Sequence, residues 1–170
     1  MLQPTPIAPD GALLHELFER SAELEGPRPA LVCADVTVSY QELDERANRL
    51  ARCLRARGVG REDRVALLLP RGERVYEAML GVLKAGAAYV PLDPDIPADR
   101  LAFILANSGA RCLVTLAGLG DGAATPLLRL DQDAAEIAAF PATRLSRADT
   151  GAAPEGLCYV IYTSGTTEIG

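Results

Sequence analysis

Near its carboxyl end the chain places Thr163-Ser164-Gly165-Thr166-Thr167 directly after the apolar run Leu157–Tyr162. Hydroxyls crowded around one glycine donate hydrogen bonds, and successive backbone amides in such a turn form a concave nest for anions. A polyphosphate is the guest this chemistry suits. The spacing is not G-x-x-x-x-G-K-S/T, so the ordinary ATPase phosphate loop is excluded. On residue chemistry alone, a polar turn closing a strand is the more common reading of such a segment. The other reactive types are sparse. His15 is the one histidine and reads as a half-exposed helix residue with no marked nucleophilic partner. Lys84 is the one lysine, and it reads as a helix-terminal cation favoured by the helix dipole. Cys33, Cys53, Cys112 and Cys158 contain no C-x-x-C pair, which argues against structural zinc. They read as reduced thiols of a cytoplasmic protein.

Elements that could position the hydroxyl-rich segment follow from periodicity. A helix is expected over 12–25, with Leu14, Leu17, Phe18 and Ser21 on its inner face. Ala30–Cys33 and Val36–Val38 read as a hairpin turning at Ala34-Asp35. Ser39 and Glu42 form a capping box for a helix running to Arg57, and Gly58 suits its left-handed end. Val65–Leu69 is a strand apolar on both faces, followed by a helix from Glu73 to Ala85. A strand over Ala87–Val90 comes next, then a helix that starts near Pro97 and carries Leu101, Ile104 and Leu105. Arg111–Thr115 and Leu127–Leu130 read as strands, 132–139 as a short helix, and Leu157–Tyr162 as a last, buried strand. Alternating strands and helices predict an α/β fold with a mostly parallel sheet flanked by helices.

Composition narrows the class. The chain has 170 residues, 49% of them apolar and 24% charged, which is globular composition. Its net charge of −6 shows no basic patch for nucleic acid. Its apolar runs are too short to span a membrane. Met1–Asp10 lacks the basic and apolar regions of a secretion signal.

Three stretches together carry a resemblance. Leu157–Thr167 resembles the opening of the phosphate-loop signature of adenylate-forming enzymes. Val38–Leu43 with Arg46–Ala51 resembles the first core motif of the amino-acid adenylation domains of nonribosomal peptide synthetases, and Leu83–Pro94 resembles their second. The resemblance implies an incomplete amino-terminal part of the large domain of that superfamily. Residues 1–11 would be a leader, and 12–170 an AMP-binding portion ending inside the phosphate loop. It also implies an ATP-dependent ligase that joins an amino acid to AMP, with Mg2+, and passes it to the phosphopantetheine of a peptidyl carrier protein. A small helper protein is a further implied partner. Thr163, Ser164, Gly165, Thr166 and Thr167 would wrap the β- and γ-phosphates. Tyr40, Glu42, Lys84, Gly86, Tyr89 and Asp93 would be packing and turn residues. The competing functions are a non-catalytic nucleotide-binding or docking remnant and a fragment of an acyl- or aryl-acid CoA ligase.

The resemblance breaks after Thr167. Glu168 stands where the signature has glycine. A carboxylate about 4 Å from a phosphate charge would repel it by roughly 4 kcal/mol at an effective dielectric near 20. Glu168-Ile169-Gly170 is therefore expected to mark a truncation or frameshift, and the fragment is expected to be inactive alone, with an exposed apolar sheet edge.

Overall fold

The computed structural model describes residues 11–34 and 36–163. Helix α1 (Leu14–Glu25) is followed by the hairpin β1 (Pro29–Cys33) and β2 (Val36–Ser39). Then come α2 (Tyr40–Ala56), β3 (Arg64–Leu68), α3 (Glu73–Lys84), β4 (Ala88–Leu92) and α4 (Ala98–Ser108). The chain continues with β5 (Cys112–Thr115), β6 (Leu127–Arg129), α5 (Ala134–Ala138) and α6 (Arg147–Thr150).

β1 and β2 pair antiparallel. The main sheet has the order β4-β3-β5-β6, and every pairing in it is parallel. Alternation along its strands sends side chains to two cores. Val65, Leu67, Tyr89, Cys112, Val114 and Leu128 pack against α2, α3 and α5 through Leu50, Leu54, Val82 and Ile137. Ala66, Leu68, Val90, Leu92 and Leu113 pack against Leu101, Ile104 and Leu105 of α4. Covering both faces is what a parallel sheet needs, and it accounts for the unbroken apolar run of β3. Local signals set the ends. The Ser39 hydroxyl accepts from Glu42 N at 3.2 Å, and the Glu42 carboxylate accepts from Ser39 N at 2.9 Å. Gly58 and Gly109 take φ of +84° and +62° past α2 and α4.

Three expectations are corrected. Leu157–Tyr162 is not a buried strand. It makes a single parallel bridge, Tyr159 to Tyr89, through Tyr89 N to Cys158 O (3.2 Å) and Val160 N to Tyr89 O (2.9 Å). One flank lies on β4, and the alternate residues Leu157, Tyr159 and Ile161 are exposed. In α1 the buried residues are His15 and Ala22, while Leu14 is exposed, because the helix turns a different face to α2 and α3. Helix α6 was not expected. Ser146 caps it through Asp149, a Ser-x-x-Asp spacing that the sequence carries. Among the described residues no helix is long and apolar enough to cross a membrane.

Candidate phosphate-binding site

The segment 157–163 runs beside β4 and delivers Thr163 past that strand's carboxyl end. Tyr162 lines an open groove with Pro91, Leu92, Asp93 and Arg100, and Thr163 lines its continuation with Asp99, Arg100 and Phe103. The groove therefore lies between the end of β4 and the first turns of α4. That is where open α/β sheets bind ligands. The Tyr162 hydroxyl donates to Asn107 Oδ1 at 2.6 Å and ties the segment to the far end of α4. Ser164, Gly165, Thr166 and Thr167, together with Glu168, lie outside the described residues.

Thr163 is exposed and lines the groove. Arg100 is the cation among the side chains lining it, and Asp93, Asp95 and Asp99 are the nearby carboxylates. Asp93 is engaged locally, since its Oδ1 accepts from Asp95 N at 2.9 Å. A hydroxyl and a guanidinium are donors that fit phosphate oxygens. Among the described residues there is no cluster of metal-ligating side chains. Sequence reasoning missed Arg100, Asn107 and the role of Tyr162. The first two sit in a helix that reads from its pattern as packing only, and the spatial neighbour that gives them meaning is about 60 positions away.

The other candidates lie elsewhere. Lys84 is 3% exposed and not a solvent-facing cation; it pairs with Glu19 and, at 2.8 Å, with Asp44. Its structural role stands, but the cause is a buried ion cluster in addition to the helix dipole. His15 is buried rather than half-exposed, and burial holds its pKa below the ordinary histidine value. With Cys158, Arg61 and Glu62 it lines a small cavity at the amino ends of β3 and β4, opposite the groove. The thiols of Cys53 and Cys112 are pushed up to about 11 by burial, which keeps them protonated and inert. All four cysteines are free. Glu42 caps α2, Gly86 holds φ of +85° after α3, and Tyr89 packs in the core, each in a structural role.

Residues 18–167 match the AMP-binding enzyme family. The chain is 44% identical over 158 residues to a dimodular nonribosomal peptide synthase of Bacillus subtilis (strain 168), covering 91% of this chain and 7% of that protein. It is 42% identical over 156 residues to tyrocidine synthase 2 of Brevibacillus parabrevis, covering 92% of this chain and 4% of that one. Among solved structures it resembles the nonribosomal peptide synthetase FmoA3 in its AMPPNP-bound form. There the TM-score is 0.82 at 32% identity, over 95% of this chain and 17% of that one. The chain thus spans a small part of each relative. The match runs from residue 18 to residue 167, through both cores and the segment that leads to the groove, so the chain belongs to the AMP-binding enzyme family and within it is similar to a segment of the nonribosomal peptide synthetases.

Proposed function

We propose that this chain forms the amino-terminal part of an amino-acid-activating ligase of cytoplasmic nonribosomal peptide synthesis. The reaction joins an amino acid to AMP from ATP and releases pyrophosphate. The aminoacyl group then passes to the phosphopantetheine thiol of a carrier protein, and a small helper protein is a further partner. In this reading Thr163, Ser164, Gly165, Thr166 and Thr167 hold the β- and γ-phosphates, and Arg100 faces them across the groove. Magnesium, when bound, would neutralise phosphate charge. This chain's own part is to place donors and exclude bulk motion of the phosphates. The observation that carries the reading is the position of Thr163, exposed beside Arg100 past the carboxyl end of β4. Support also comes from the AMPPNP-bound FmoA3, which shares this fold at 32% identity.

The test joins residues 1–167 to the downstream half of a related synthetase and measures amino-acid-dependent pyrophosphate exchange. The chimera is expected to exchange. Changing Thr163, Ser164, Thr166 and Thr167 together to alanine is expected to lower the rate at least about 100-fold, the order seen when donors to a developing anion are removed. Full activity in that variant overturns the reading.

A further inference from the structure

Two stretches the sequence marks as motifs meet inside the protein at one carboxylate. Asp44 of α2 is 8% exposed. Its Oδ1 accepts from Lys84 Nζ of α3 at 2.8 Å. Its Oδ2 accepts from Arg144 Nε at 3.0 Å and from Asn48 Nδ2 at 3.3 Å. Lys84 also pairs with Glu19 of α1. Arg144 in turn donates to the Glu19 carbonyl at 3.0 Å and pairs with Glu23. A buried ammonium needs such partners, and a shared carboxylate with both oxygens engaged has little freedom to move.

Arg144 belongs to the irregular connection that carries the chain from α5 back across α1 and α2 to β4. That connection is fastened along its length. Asn48 Nδ2 donates to Ala142 O at 2.8 Å, and Arg52 Nε donates to Thr143 O at 2.9 Å. Arg147 pairs with Glu16 at 2.6 Å, and buried Thr150 packs on Gly86. Beyond it, Leu157 N meets Glu62 Oε1 at 3.4 Å, Val160 N bonds Tyr89 O, and Thr163 enters the groove. β4 holds this last stretch by a single bridge and Asn107 holds it at Tyr162, so its place along the sheet edge also depends on what anchors the connection before it.

We propose that Asp44, held in place by Lys84, is a positioning residue for the phosphate segment. It anchors Arg144, and the anchored strap sets where Leu157–Thr163 lies on β4 and so where the hydroxyls meet phosphate. None of the cluster lines the groove; it acts through the connection. The inference rests on the function proposed for Thr163–Thr167.

Asp44→Leu strands a buried cation and can unfold the protein, so Arg144→Met is the informative variant. Its side chain is 31% exposed, and its loss leaves Lys84, Glu19 and Asp44 paired. In the full 170-residue chain, amide hydrogen exchange at Val160 is expected to quicken at least about tenfold in Arg144→Met, as a locally released segment does. Exchange at Leu113, bonded to Pro126 O in the sheet, is expected to stay unchanged. Arg144→Lys is expected to restore most of the protection at Val160. In the chimera, Arg144→Met is expected to raise KM for ATP about fivefold with kcat changed less than about twofold. Unchanged Val160 exchange, equal acceleration at Leu113, or an unaltered KM for ATP overturns the inference. Failure of the underlying reading shows separately, as full activity of the chimera with the four alanine substitutions.

Discussion

At the residue scale, His15 is the group whose charge the fold opposes most plainly. Burial, with Lys84 and Arg147 nearby, holds it neutral against the pull of Glu19 and Glu16. Its folded pKa lies below the ordinary 6.5, so on acidification the unfolded chain takes the proton first. The stability that neutral His15 contributes is complete above that value and is lost as pH falls through the folded pKa. Melting temperature is expected to fall between pH 7 and pH 5 through this group, and His15→Leu is expected to flatten that slope. Thermal melts of both proteins across this range check it; equal slopes refute it. Glu16, held at about 2 by its hydrogen bonds from Arg147, adds a second loss of the same sign. That loss falls between pH 4.5 and 2, outside the window of the measurement. Glu77, raised by burial, acts in the opposite sense, which is why the comparison is between variant and parent.

At the scale of elements, the α3–β4 turn joins two layers. Gly86 takes φ of +85°, and a Cβ there would sit 2.9 Å from the Thr150 carbonyl oxygen at the end of α6. Both the dihedral and the close approach favour glycine. Gly86→Ala is expected to destabilise the protein by about 1–3 kcal/mol, strain and overpacking acting together. Urea unfolding measures this, and an unchanged midpoint would refute it. Gly86 was legible as a cap because the helix pattern stops there. Its contact with Thr150 was not, since Thr150 lies 64 positions later in the chain. The helices and central strands were readable for a related reason. Capping boxes, terminal glycines and apolar periods are written within a dozen residues, as at Ser39–Glu42 and Val65–Leu69.

At the scale of the whole molecule, the sheet has an open flank. Leu157, Tyr159 and Ile161 are 48%, 51% and 60% exposed in a row on the segment outside β4. Such an edge recruits other chains. The 170-residue chain is expected to self-associate as concentration rises, and Ile161→Lys is expected to shift it toward monomer while altering stability by less than about 0.5 kcal/mol. Size-exclusion chromatography with light scattering decides this; a monomeric parent at every concentration would contradict it. By itself the sequence determined the α/β class, the order of elements from α1 to α5, and the hydroxyl-rich stretch with its kinship, because each depends on neighbours along the chain. Only the tertiary structure decided that Lys84 is buried on Asp44, that Arg144 ties the returning strap to both, and that Arg100 stands beside Thr163. A charge in a linear pattern reads the same whether water or a partner 40 or 100 positions away neutralises it. The low-dielectric interior makes the difference, and only folding brings those partners within hydrogen-bond reach.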